Sequence, residues 1–283
     1  MSVKLITDSA SDMGTMQNDI ITCIPLKVRF GLDEYLDGVN LTHEEFYDKL
    51  ENSGEFPQTS QAGPYEWTEA IEKELANGAD EIIIITLSSK VSGTFQSASL
   101  AAAEYDNVYV VDSKQVTIGE MLLVRLAEKL IREGKGAKEI VEILEKEKER
   151  ILLIAMVDTL EYLAKGGRIS GLAAAAGSML NLKPIIGVDD GIVVTYGKAR
   201  GVKKGQASMN VQIARAGGID FDMPYYVGFT GDRSKAEDYL KNHHEFLKAD
   251  EHDLGPYSVG GTIGTHAGPG AVTIAFFRGD EQY

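Results

Sequence analysis

Apolar positions along the chain follow two periods, and their alternation sets the expected architecture. Val3–Thr7 is a short apolar run ending at Asp8-Ser9, a turn or helix-start signal, and reads as a first strand. Ile20–Phe30 is extended and broken at Pro25, with Glu34–Val39 placed to form a hairpin with it. Thr42 and Glu45 have capping-box spacing, which opens a helix to about Asn52. Tyr65–Ala76 is a second helix, closed by Asn77-Gly78. Ile82–Leu87 and Val108–Val111 are continuous apolar runs, the pattern of strands buried on both faces. An alanine-rich helix starting near Ser92 lies between them. Thr117–Arg132 carries apolar residues at helical spacing (Ile118, Met121, Leu122, Leu126, Leu130, Ile131), and Ala137–Arg150 is a helix with a charged outer face. This strand–helix alternation predicts a mostly parallel sheet covered by helices.

The pattern changes near residue 155. Ile151–Val157 opens a region with short helices at Leu160–Ala164 and Ala173–Leu180 and a hairpin of Pro184–Val188 with Ile192–Tyr196 across Asp189-Asp190-Gly191. Val202–Ala216 reads as a helix, Tyr225–Phe229 as a strand, Ser234–Leu247 as a helix and Val272–Phe277 as a last strand. The expected organisation is an N-terminal α/β domain over 1–155 and a C-terminal α+β domain over 156–283.

Composition narrows the function classes. Of 283 residues, 43% are hydrophobic and 25% charged, as in soluble globular proteins. A formal charge of −15 argues against nucleic acid and anionic membranes, which demand basic patches. Cys23 is the one cysteine, so no internal disulfide forms. The first residues lack the basic region and long apolar core of a signal peptide, and no apolar run approaches the ~20 residues that span a bilayer. These features suit the reducing cytoplasm.

Three segments carry candidate chemistry. Gly260–Ala271 holds His266 in a loop with five glycines and a proline in twelve residues; glycine lets a backbone approach a ligand closely, and histidine can donate a hydrogen bond, take up a proton or attack a carbonyl. Ser92 follows the Ile82–Leu87 strand at the expected N-cap of the next helix, where a serine either satisfies the helix alone or, with the helix dipole, helps hold an anion. Thr59-Ser60 precedes Ala62-Gly63-Pro64, which is ordinary turn chemistry by itself. Other chemistries lack their motifs. Lys90-Val91-Ser92-Gly93-Thr94 is not a Gly-x-Ser-x-Gly nucleophile elbow, and neither phosphate-binding glycine pattern occurs. His243 and His244 are adjacent on a predicted helix and point about 100° apart, which suits solvent better than one metal.

Taken together the segments resemble the DegV family of bacterial fatty-acid-binding proteins along almost the whole chain. The matching words run in family order: Ile6-Thr7-Asp8-Ser9, Thr59-Ser60-Gln61, Ser92 through Ala98, Asp112-Ser113-Lys114, Asp158 through Ser170, Lys183-Pro184-Ile185, Gly197 through Gly201 and Gly264 through Ala271. The chain departs from the family at Ala62-Gly63 and at Lys90-Val91, both beside the expected pocket mouth.

The resemblance implies two α/β domains with ligand at their interface, no catalytic residues, no cofactor and no metal. It implies a long-chain fatty acid held non-covalently, with its carboxylate met by the Thr59-Ser60 pair, Ser92 and His266, and Thr94 in support; loop spacing ranks Ser60 ahead of Thr59. It implies that Arg168 docks a separate fatty acid kinase, which forms an acyl phosphate for lipid synthesis. Arg168 follows two glycines, so an exposed turn outside the pocket is expected. The competing reading is a subunit like the substrate-binding part of dihydroxyacetone kinase, holding a small carbonyl compound covalently through His266.

Overall fold

A computed structural model describes residues 2–14, 18–169 and 181–279; the helix expected at Ala173–Leu180 lies outside them. In chain order the elements are β1 (Val3–Asp8), β2 (Ile21–Ile24), β3 (Lys27–Phe30), β4 (Asp33–Leu36), α1 (His43–Asn52), β5 (Gln58–Ser60) and α2 (Pro64–Ala76). There follow β6 (Glu81–Thr86), α3 (Thr94–Ala102), β7 (Val108–Asp112), α4 (Ile118–Arg132), α5 (Ala137–Glu147), β8 (Ile151–Met156) and α6 (Glu161–Lys165). The remainder is β9 (Leu182–Asp189), β10 (Ile192–Arg200), α7 (Val202–Arg215), β11 (Tyr226–Phe229), α8 (Ser234–Asn242), α9 (His244–Leu247), β12 (Tyr257–Ser258), α10 (Gly261–Ala267) and β13 (Val272–Phe277).

Among the described residues these strands form three sheets. The first, ordered β2-β1-β6-β7, is parallel at every pairing. The run Ile82–Ile85 is fully buried because helices cover both faces. The second, β10-β9-β8-β13-β11-β12, is antiparallel except where β11 meets β12. The third is small and antiparallel, β4-β3-β5.

Helix α4 joins the two large sheets. It packs on β1 and β6 and on β8, β11 and β13, so Ile118, Met121, Leu122, Leu123 and Val124 are all inaccessible to water. One apolar cluster therefore runs from Val3, Leu5, Ile83 and Ile85 through α4 to Leu153, Ala155, Ile186 and Phe277.

Several expectations are refined. The stretch Ile20–Phe30 is split at Pro25 between two sheets: β2 pairs with β1, whereas β3 pairs with β4 in the expected hairpin. The helix expected over Ser234–Leu247 is interrupted at His243, whose φ of −128° ends α8 before α9 begins. Thr59 and Ser60 lie on a strand rather than a turn, because β5 completes the small sheet beside β3.

This topology positions the site. β1 and β6 are neighbours whose continuations diverge to opposite sides of the parallel sheet, leaving a crevice beyond their C-terminal ends, where ligands bind in open α/β sheets. Asp8 and Leu87 stand at those ends, and the inner face of β8, β9 and β13 closes the crevice from the other side.

Candidate ligand-binding site

A cavity of about 360 Å³ occupies this crevice, within the range of small-molecule pockets. Leu26, Leu87, Leu153, Val157, Ile186 and Val188 are among the apolar residues that line it. Its inner threonines have their hydroxyls committed elsewhere. Thr117 donates to Asp12 (2.5 Å), Thr262 to Asp37 (2.5 Å) and Thr273 to the Ile154 carbonyl (3.1 Å), and Thr230 accepts the Ala271 N–H (2.7 Å). Internal hydrogen bonds thus leave the methyl-bearing body of each side chain to the cavity, and the interior behaves as apolar surface.

Thr59, Ser60, Ser92, His266 and Arg168 all line this one cavity, although more than 200 positions separate the first from the histidine. Thr59 Oγ1 lies 3.0 Å from His266 Nε2. Ser60, its neighbour on β5, is exposed. The hydrogen bond to His266 belongs to Thr59, while Ser60 lies at the rim of the same cavity. Ser92 stands one residue before the N-cap of α3, a position taken by Gly93. Its Oγ accepts the Thr94 N–H at 3.3 Å and lies 2.8 Å from Thr94 Oγ1. Thr94 is fully buried behind Ser92 and is absent from the cavity lining, so it supports Ser92 rather than facing the cavity.

His266 meets Thr59 through Nε2 and packs against Gly166 through Nδ1. Its Nδ1 is buried with no hydrogen-bond partner, and burial, with a smaller push from the Arg168 guanidinium, lowers its pKa to about 4. The imidazole is therefore neutral at physiological pH. Arg168 is half-buried on the cavity lining instead of in an exposed turn outside it, with Nε donating to the Val91 carbonyl (3.2 Å) and Nη1 to that of Gly166 (2.7 Å). The mouth thus combines a neutral imidazole, the three hydroxyls of Thr59, Ser60 and Ser92 and the N-terminus of α3, groups suited to a carboxylate, with the Arg168 guanidinium beside them. Among the described residues no group of histidine, cysteine and acidic side chains could hold a metal ion. His243 instead lies 3.0 Å from the Asn210 amide through Nδ1.

The glycine-rich segment is not the loop expected. Gly261–Ala267 is a helix, and its glycines serve packing. A side chain at Gly264 would collide with Phe46 and Tyr47 of α1, and one at Gly261 with Phe46. The N-terminus of α10 is held by two buried carboxylates that the sequence reading missed. Asp37 accepts from the Gly261 N–H (2.9 Å), the Thr262 N–H (3.0 Å) and the Thr262 hydroxyl, and Asp12 accepts from the Gly260 N–H (2.7 Å). Asp12 also holds Thr117, a β-branched residue at φ +48°, in a strained conformation. Burial raises Asp12 well above the ordinary carboxylate range and Asp8, which accepts from Ala10 and Leu87, to about 7. Gln61 was also missed: it lines the mouth, donates to Ser97 (2.7 Å) and fills the space above Gly93.

Comparison with known proteins agrees with this architecture. A DegV domain-containing protein from Deinococcus radiodurans is 36% identical over 282 residues, covering 97% of this chain and 98% of its own. A solved DegV family protein from Thermus thermophilus, described for its fatty acid binding, superposes with a TM-score of 0.84 at 30% identity, covering 98% of this chain and all of its own. A stearic acid-binding protein from Eubacterium ventriosum superposes with a TM-score of 0.84 at 26% identity, covering 98% of each chain. The family profile described as "Uncharacterised protein, DegV family" matches residues 2–279. On sequence and on structure alike, this chain belongs to the DegV family.

Proposed function

We propose that this protein is a cytoplasmic carrier that binds one long-chain fatty acid non-covalently and presents its carboxylate to a separate fatty acid kinase. The observation that carries the reading is the division of the cavity: an apolar interior with its hydroxyls committed, and the polar side chains of Thr59, Ser92, Arg168 and His266 gathered at one end. A fatty acid divides the same way. Its tail gains ~0.8 kcal/mol per buried methylene, on the order of 10 kcal/mol for a long chain before the costs of association. Its carboxylate needs several donors, because an unpaired buried charge is very costly. Ser92 and the Thr59–His266 pair supply those donors, with Ser60 at the rim; the bond between Thr59 and His266 uses one of the pair's two hydrogens and leaves the other to give. Fatty acid binding by the Thermus thermophilus relative and stearic acid binding by the Eubacterium ventriosum relative support the assignment.

In this reading the protein performs no reaction. Phosphoryl transfer belongs to the kinase, and Arg168 at the mouth meets it. A guanidinium has five N–H donors, more than the two bonds to Val91 and Gly166 use, and can reach a carboxylate or phosphoryl group. The apolar interior favours an acyl chain over a small ketone. Solvent extraction of purified protein followed by mass spectrometry tests the reading, with about one long-chain fatty acid per chain expected from a single head-group site. Extracts without fatty acid, together with failure to bind added palmitate or oleate, refute it. A covalent small adduct in the intact mass would replace it with the ketone reading.

A further inference from the structure

We propose that Asp37 is a positioning residue for carboxylate recognition: it holds α10 so that His266, at the far end of that helix, faces Thr59. The inference rests on the fatty acid reading and extends it to a residue that grips the opposite end of the helix bearing the head-group imidazole.

Helix α10 has seven residues, two of them glycine, and cannot persist as an isolated helix. Outside contacts fix its place. At its N-terminus the buried Asp37 carboxylate takes the Gly261 N–H on Oδ1, and the Thr262 N–H and hydroxyl on Oδ2. A fourth donor, the Ser9 hydroxyl, reaches Oδ2 at 3.2 Å. Asp37 directly follows β4, and its own N–H donates to the Leu26 carbonyl just before β3. β3 also pairs with β5, the strand that carries Thr59. One small sheet therefore anchors both ends of the arrangement: Asp37 holds the start of α10, and Thr59 meets the imidazole at its end. A negative charge at the helix N-terminus is favourable, and four donors offset its desolvation. The clasp preorganises the imidazole before ligand arrives, so that little binding energy is lost in ordering it.

The test compares oleate with oleyl alcohol, which shares the tail and lacks the carboxylate. Affinities are measured for wild type, Asp37→Asn and Thr262→Val, with ring ¹⁵N shifts of His266 recorded for each. Wild type should prefer the acid, and Asp37→Asn should lose that preference by about tenfold or more while alcohol affinity holds and the His266 shifts move. Thr262→Val, which removes only the hydroxyl and keeps the shape, should move the same quantities less, and it decides the matter should Asp37→Asn fail to fold. An unchanged preference, or equal weakening of acid and alcohol, would overturn the proposal, since a merely structural role affects both ligands alike. Wild type binding neither ligand would overturn the fatty acid reading itself, an outcome read before any variant is compared.

Discussion

Gly166 lies so close against the imidazole of His266 that a methyl group on its Cα would collide with Nδ1. Its φ is not in the left-handed region, so the glycine answers to this contact and not to a turn. The same residue's carbonyl accepts the Arg168 guanidinium, which places Gly166 between the two groups that give the mouth its electrostatics. Gly166→Ala should therefore displace the imidazole from Thr59 without altering any donor. Overpacking of this kind costs about 1–3 kcal/mol. Calorimetry with palmitate should show weaker binding beside a modest fall in melting temperature; wild-type affinity would mean that His266 shifts freely and takes no part in holding the acid.

Removal of single head-group donors should weaken binding and spare the fold. Thr59→Ala, Ser92→Ala and His266→Ala each disturb the donors to a buried carboxylate, at about 1–3 kcal/mol, or roughly 5- to 150-fold in Kd. Circular dichroism and palmitate titration on the same samples check this. If Ser92→Ala and His266→Ala both bind as wild type does, Ser92 serves only the start of α3 and His266 only packing.

Acid should destabilise the empty protein through His266. Its pKa is lowered from 6.5 to about 4 in the fold, so the unfolded chain binds more protons between these values. Its contribution is fully present above pH 6.5 and is lost as pH falls toward 4. Asp8 acts with the opposite sign over a similar window: raised from 3.8 to about 7, it favours the fold at low pH and loses that contribution as pH rises. The comparison must therefore be against His266→Gln, which keeps Asp8. Wild type should lose melting temperature relative to that variant as pH drops from 6.5 to 4, and a constant difference would show that the imidazole is not buried neutral.

Arg168→Ala should separate holding from presenting. Fatty acid binding should persist, because Thr59, Ser92 and His266 remain, while acyl-phosphate formation with the cognate kinase falls sharply. Loss of the guanidinium also removes one cause of the depressed His266 pKa, so that pKa should rise. A kinase assay, a lipid-binding assay and a histidine NMR titration on one preparation cover the three claims. Unchanged turnover removes Arg168 from the docking face; lost lipid binding makes it a carboxylate ligand.

Local pattern was enough for the elements that bury a regular apolar face. The run Ile82–Leu87, the stripe along α4 and the Thr42–Glu45 capping box are all found where periodicity and capping chemistry put them, because each depends on residues within a few positions. Motif order along the chain likewise singled out Thr59, Ser60, Ser92, His266 and Arg168, which all line one cavity, together with Thr94, which lies behind Ser92 and does not. Tertiary structure alone decided what those residues do to one another. The partner of His266 is Thr59 because β5 joins the small sheet, and Arg168 faces the cavity because its guanidinium reaches Val91. Helix α10 was illegible in the sequence: glycines carry no apolar period, and the groups that stabilise it, Asp12, Asp37, Phe46 and Tyr47, lie more than 200 residues away. Short-range propensities are written in neighbouring side chains, whereas a helix held by distant carboxylates exists only once the chain has folded around it.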